Sequence, residues 1–451
     1  MFYKDLFTRR LILITLFLRL AVLGYVLFLN PLGTALFTFP DSLNYTHPAH
    51  TLLEQGSLLE AYTNRPLTFR TPGYPVFLAI IWGVFGQSNA AVAFWQILLS
   101  TALIALSYQA ARSFLSQTAA RTAALLCAVS TVYWAYSFAY LSDVLFAFLI
   151  TAYLLAALLY IQKPTMSFLL WASLLLTAAV FVRPVAYNML FISLLLLILK
   201  HRKDGVKKIG KTAAALVLPF LLFTGAWQIR NWKQTGYAGF HSSAAYNLYY
   251  WNLDSVARAH HLPAQEGSRL LSQALPPDFN DWPLSQQDNW FKQQAQPMIL
   301  KYWPEKLLRA PYWLAKTLFG GSYTQLSRLF FGRPLLTEEE FSYQLNKTGP
   351  IPAKHLRRLS DWLLLGLCLL QTLLTAGLAF AGACLIWKDK TKRNHLVFIG
   401  IYILYFWGIS STFFGAGGRY RAPFESALCV LGGAAAAALW KKLTRRKKPA
   451  R

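Results

Sequence analysis

Two carboxylates and a set of arginines stand at the edges of apolar blocks, where charge is costly unless it is used. Asp41, in "FPDSLNYTHPAH" (residues 39–50), follows directly on one apolar run, and Asp143, in "YLSDVLFAFL", opens another. The arginines are Arg65 and Arg70, Arg183 in "FVRP", Arg230 in "QIRN", and Arg419 and Arg421 in "GGRYRAP". A guanidinium presents a planar fork of N–H donors that suits phosphate or pyrophosphate oxygens. Snorkelling to headgroups, or pairing with acids, explains any one of these arginines more easily than the whole set. Acids and arginines gathered on one membrane face fit an anionic lipid head.

The elements that must position them are membrane helices. Of 451 residues, 55% are hydrophobic and 14% charged, and the apolar residues fall into blocks approaching the roughly 20 that a bilayer helix needs. The first block, residues 11–29, follows "MFYKDLFTRR" without a small-residue cleavage site, so it reads as an uncleaved first helix. The net charge of +26 sits largely in short segments between blocks and in the tail "KKLTRRKKPAR". That is topology information rather than a nucleic-acid footprint, and no nucleic-acid partner is expected. Cys127, Cys368, Cys384 and Cys429 lie inside apolar blocks without CxxC spacing and read as packing residues.

Basic clusters mark cytoplasmic helix ends. They occupy 4–10, 112–121, position 163, 200–211, 388–393 and 441–451. Joining them in pairs predicts about ten crossings, at 11–29, 90–111, 122–136, 141–160, 166–181, 185–199, 212–228, 362–387, 396–413 and 422–440, with both termini cytoplasmic. The dozen apolar residues 75–86 would reverse every later cluster if they crossed, so they read as re-entrant or interfacial. The same charge bias puts the loop 30–73, with Asp41, and the link before Asp143 on the outer face. Between 257 and 349 the chain is polar, and Trp290, Ile299, Leu300, Trp303, Leu307 and Leu308 interleave with Lys292, Lys301 and Lys306 as in an interfacial helix. This helix reads equally as an acceptor-side wall or as a lid packed on the bundle. The chain thus divides into an N-terminal transmembrane module (1–230), an outer region (231–360) and C-terminal transmembrane helices with a basic tail (361–451).

The order of motifs resembles the GT-C membrane glycosyltransferases, in the family 39-like branch that contains protein O-mannosyltransferases and the lipid A aminoarabinose transferase. Carrying the resemblance are Asp41 with "YTHPAHTLLEQGSL", then "FRTPGYPVFLAIIWGVFG", "YLSDVLFAFL", "QIRNWKQTGYAGFHSSAAYNLYYWN" and "RYRAP". It implies an all-α polytopic bundle and an inverting transferase that takes a sugar from a polyprenyl-phosphate carrier, on the periplasmic or exterior face of a cell (inner) membrane, to a lipid, glycan or protein acceptor. Such transfer needs a base for the acceptor nucleophile and positive charge for the departing phosphate. Asp41 is expected as the base, with capping of the following helix as its structural alternative. Asp143 is expected to position acceptor or donor, or else to cap its own span. Arg70 matches the family's basic residue near the lipid phosphate, with Arg183, Arg230 and Arg419 in support.

The first acid stands alone where many relatives have two, so Glu54 is a candidate auxiliary carboxylate. Glu425 stands where an apolar or proline residue is expected and is placed to pair with Arg421 four residues earlier. His47 and His50 could join Asp41 around a metal, but Pro48 distorts that turn and the histidines read as solvated. No cofactor is assigned, and a divalent metal is left open. Two other readings keep the arginines: a transporter of lipid-linked sugar, and an oligosaccharide ligase or polymerase using a pyrophosphate-linked donor.

Overall fold

The computed structural model describes residues 5–29, 39, 41–262, 264–320, 322–331, 359–413 and 417–446. Both extreme ends of the chain and the C-terminal part of the expected outer region, 332–358, lie outside them. The described residues form helices α1 (Leu6–Leu29), α2 (Leu43–Gln55), α3 (Gly73–Phe85), α4 (Asn89–Arg112), α5 (Gln117–Ala128), α6 (Thr131–Tyr136), α7 (Asp143–Gln162), α8 (Met166–Val182), α9 (Met189–His201) and α10 (Val206–Thr235). There follow α11 (Ser243–Tyr250), α12 (Leu253–Ala259), α13 (Ala264–Gln273), α14 (Leu284–Phe319), α15 (Tyr323–Phe331), α16 (Leu359–Trp387), α17 (Arg393–Phe413) and α18 (Ala422–Arg446). Among the described residues there is no sheet, only an isolated bridge between Leu59 and Pro66. The chain is an all-α polytopic membrane bundle.

Among the described residues, eight helices are long and apolar enough to cross a membrane singly, and of the ten expected blocks only 122–136 and 166–181 fall outside them. The block 122–136 is not one helix: α5 ends at Ala128 and α6 restarts at Thr131, so the bundle is traversed there by two short pieces. Helix α8, with 17 residues, is also short of the eight, as is the 13-residue α3 that had been set apart for its length. Local signals place the ends. The Ser88 and Ser116 hydroxyls accept from the amides of Ala91 and Ala119 at the starts of α4 and α5, satisfying donors a helix start leaves free.

Helix α18 is the central post, packed against α16, α5, α7, α4 and α17. Lipid gives no hydrophobic drive between helices, so close approach rests on small residues. A Cβ on Gly382 of α16 would lie 1.9 Å from the Leu431 carbonyl oxygen of α18. Inside α1, Arg19 is fully buried, donates to the Ser100 hydroxyl and lies 5.1 Å from the Trp134 ring centre. It is a single charge within an otherwise apolar span. Cys127, Cys368 and Cys429 are buried as expected, whereas Cys384 is exposed. A second, smaller core lies between α11 and α14, where Tyr249, Phe279, Phe291 and Ala295 pack together.

This packing predicts an asymmetry within one helix. Gly382→Ala should destabilise the detergent-solubilised protein by about 1–3 kcal/mol through overpacking. Gly366→Ala on the same helix, where a Cβ meets nothing within 4 Å, should leave the thermal transition in place. Equal transitions for the two variants would refute the close α16–α18 contact.

Candidate functional site

Five of the six charged site candidates meet at one end of the bundle, each delivered by a helix end or the loop beside it. Asp41 lies two residues before α2, and Arg70 three before α3. Asp143 is the first residue of α7. Arg183 follows α8 directly, and Arg419 sits in the 3-10 turn Gly418–Arg421 that leads into α18. The chain conformation aims them. Pro184 disfavours helical geometry in the residue before it, and Arg183 is extended at φ −144°, ψ 117°, which ends α8 there. Gly73 lets the start of α3 approach the end of α8, because a Cβ at that position would lie 2.6 Å from the Phe181 carbonyl oxygen. Glu60 ties down the loop carrying Arg70: its Oε1 accepts from the amides of Thr68 and Phe69, both at 2.9 Å.

The side chains form an alternating chain of charge. Arg70 Nη2 donates to Asp41 Oδ1 at 3.0 Å, and Arg419 Nη1 donates to Asp41 Oδ2 at 3.1 Å. Arg419 Nε reaches both oxygens of Asp143, at 3.1 and 3.0 Å, and Arg183 Nη1 donates to Asp143 Oδ1 at 2.9 Å. Three guanidiniums thus face two carboxylates, leaving one net positive charge. Asp143 is wholly enclosed, whereas the Asp41 side chain keeps 39% of its surface open. Burial alone would raise the Asp41 carboxyl, but Arg419 and then Arg70 outweigh it and hold the group below its ordinary 3.8. Arg70 Nε is buried without a hydrogen-bond partner, a donor still available to an oxygen entering the site.

Neither acid acts as a helix cap. The N-cap positions belong to Ser42 and Ser142, which make no side-chain cap bond, and both carboxylates are committed to arginine. Arg230 stands apart, which corrects its expected role beside the phosphate. Its Nη1 donates to the Leu67 carbonyl at 2.6 Å and to Asn231 Oδ1 at 3.0 Å, so it clamps the Arg70 loop onto α10. Glu54 is exposed near the far end of α2 and joins nothing here. The histidines are half-buried rather than solvated; His50 Nδ1 lies 2.8 Å from Gln87 Nε2 and its ring packs on Trp82. No group of three His, Cys, Asp or Glu among the described residues is placed to hold a metal ion. Glu425 does meet Arg421, at 2.6 Å, with both side chains buried. It also accepts from the Ser130 hydroxyl at 2.8 Å, while Arg421 Nη1 donates to the Leu318 carbonyl at 2.7 Å. This pair fixes the turn that carries Arg419.

Asp41, Arg70, Arg183 and Arg419 line a cavity of about 780 Å³ that runs outward past His241 and Asn247 to Trp251, Lys306 and Arg309. The outer wall is α14, so the helix expected as wall or lid contributes cavity lining. His241 went unnoticed in the sequence, where a lone histidine in "GFHSS" carries no signal. Burial, and then Arg70, lower it to about 4, so it stands as a neutral hydrogen-bonding group, its Nδ1 2.8 Å from the Ser243 hydroxyl.

The enclosure of Asp143 makes a prediction. Asp143→Ala strands the largely buried Arg183, leaves Arg419 with Asp41 alone, and should cost about 3–5 kcal/mol of stability. Asp41→Ala, at the open end of the chain, should lower the thermal transition far less. A wild-type transition for Asp143→Ala would refute the bridging role.

Residues 69–227 match the family model described as dolichyl-phosphate-mannose-protein mannosyltransferase. No curated protein matches the sequence. Among solved structures, the oligosaccharyltransferase of Archaeoglobus fulgidus, tethered with an acceptor peptide containing the NVT sequon, is similar at 14% identity and a TM-score of 0.52, over 99% of this chain and 51% of that one. ArnT from Cupriavidus metallidurans bound to undecaprenyl phosphate is similar at 12% identity and a TM-score of 0.40, over 97% of this chain and 81% of that one. The chain therefore spans about half the length of the oligosaccharyltransferase it matches. The likeness to the oligosaccharyltransferase shows a shared fold.

Proposed function

We propose that this protein is a glycosyltransferase that moves a sugar from a polyprenyl-phosphate carrier to an acceptor, with inversion, on the outer face of the membrane. The observation that carries the reading is Asp41, an ionised carboxylate in the wall of a large cavity, flanked by arginines whose charge exceeds that of the acids by one. One excess positive charge matches one phosphodiester. The fold and the family match over 69–227 support the same class.

The chemistry is a single displacement at the anomeric carbon. The acceptor heteroatom forms a bond to that carbon as the bond to the phosphate oxygen breaks, and the electron pair leaves on the phosphate. The acceptor proton passes to Asp41. Arg70, with Nε free, and Arg183 and Arg419 stabilise the negative charge that grows on the departing phosphate. A low carboxyl pKa suits this order of events. A hydroxyl attacking a sugar with oxocarbenium character becomes strongly acidic as the new bond forms, so a weak base that is always ionised is sufficient.

The outer-face assignment rests on charge. The long helices bringing groups to the site run away from it toward basic residues: Lys163 follows α7 and precedes α8, and Lys441 and Lys442 lie at the far end of α18. A positive-inside orientation makes those ends cytoplasmic and the site external, facing a periplasm where a second membrane exists.

Asp41→Asn should reduce sugar transfer from a polyprenyl-phosphate donor by about 10²–10⁴-fold while leaving expression unchanged; full activity would overturn the assignment. The pH profile adds a second test. Because Asp41 is held below 3.8, it stays ionised at neutral pH, and its loss of function comes only as pH falls through that lowered value. Arg70→Gln removes one of the cations responsible, so the acid limb of its residual activity should move to higher pH. An unmoved limb would show that another group sets it. Native mass spectrometry of co-purified lipid separates a monophosphate carrier from the diphosphate carrier that a ligase or polymerase would use.

A further inference from the structure

The cavity has a second charged end that the transfer chemistry leaves unused. There Arg258 contacts Asp254 and Glu305, each at 2.5 Å, and Arg309 Nη1 contacts Asp254 at 3.2 Å. Lys306 Nζ donates to the Trp251 carbonyl at 2.8 Å and lies 3.7 Å from the Trp251 ring centre. Among the described residues it has no carboxylate within ion-pair distance. Three cations thus face two acids, and the excess charge is Lys306. Burial lowers its ammonium to about 8, and the attraction of nearby Asp254 and Glu305 does not offset it. Arg258, Lys306, Arg309 and Asp254 all line the same cavity as Asp41.

One leaving phosphate needs one excess cation, and the Asp41 end supplies it. On the transferase reading above, we propose that the Lys306–Arg309 end of the cavity binds a phosphate group belonging to the acceptor. The acceptor is then a phosphate-bearing molecule, held at one end by its anion while its nucleophile reaches Asp41 at the other. Lysine as a point charge and arginine as a fork are the two side chains that bind phosphate most readily. Trp251 and Trp313 in the same wall offer ring faces to the rest of the molecule.

Lys306 is its own reporter. Its rate of acetylation by an amine-reactive ester, followed by peptide mass spectrometry on the full-length protein in nanodiscs, should rise with a midpoint near pH 8. Inorganic phosphate at about ten times its dissociation constant should slow labelling of Lys306 about tenfold and leave Lys301, exposed on the same helix, unaffected. Protection should persist in Arg70→Gln and disappear in Arg309→Gln. Protection by phosphatidylglycerol nanodiscs, relative to phosphatidylcholine, assigns the phosphate to a lipid headgroup. Protection by inorganic phosphate in phosphatidylcholine alone assigns it to a soluble acceptor. The proposal is overturned by equal protection from acetate, by absence of protection from either phosphate source, by loss of protection in Arg70→Gln, or by a Lys306 that does not label at pH 9. Labelling reads an anion at Lys306 and not turnover, so an active Asp41→Asn variant would remove the transferase reading without deciding this one.

Discussion

Everything at the charged end of the bundle hangs on Arg419, which holds one carboxylate with its Nη1 and the other with its Nε. It joins an enclosed acid that cannot be reached from the cavity to an open one that can. Enclosing a carboxylate is expensive unless it is paired and hydrogen-bonded, and Asp143 meets that requirement only because Arg183 and Arg419 arrive together. Those arginines come from the end of α8 and the start of α18, so helix placement and site charge are one constraint. The turn carrying Arg419 is fixed in its own right by the buried Arg421–Glu425 pair beneath it. A buried pair of this kind adds little net stability but fixes geometry, since losing either partner leaves a stranded charge.

The division of labour between the two acids follows from exposure. Asp143 is spent on organising arginines, while Asp41 shares the same arginines and still faces the cavity. Their spacing in sequence hides this relation, and their common dependence on Arg419 reveals it.

Much of this was legible in the sequence because membrane insertion writes its rules in residue types. Apolar blocks and lysine clusters marked the helices and their ends, and arginines on the wrong side singled out Arg70, Arg183 and Arg419, which the fold brings together around Asp41 and Asp143. Charge on the wrong side does not say which partner a side chain finds, and so Arg230 was misplaced: its donors go to the Leu67 carbonyl and Asn231. Composition averaged over a span also hid two features. The break between α5 and α6 sits in a run without proline or glycine, and Arg19 is a single charge in a strongly apolar helix. His241 and Glu60 act through contacts formed only when distant segments meet, and neither lies in a pattern that periodicity or charge bias detects. Glu425 was legible because its partner lies one helical turn away.

The low pKa of Asp41 looks at first like an obstacle to its acting as a base. The two oxygens of Asp41 are occupied by Arg70 and Arg419, and in the proposed transfer the same cations serve an incoming phosphate. A phosphate that draws Arg70 toward itself withdraws one of the charges that depress Asp41, so the carboxylate becomes a better proton acceptor once the donor is bound. In the proposed transfer, such coupling would restrain proton transfer in the empty site and strengthen it with the leaving group in place. It requires cations shared between acid and phosphate, and Arg70, bound to Asp41 through one nitrogen with its Nε unpartnered, has the geometry to be shared.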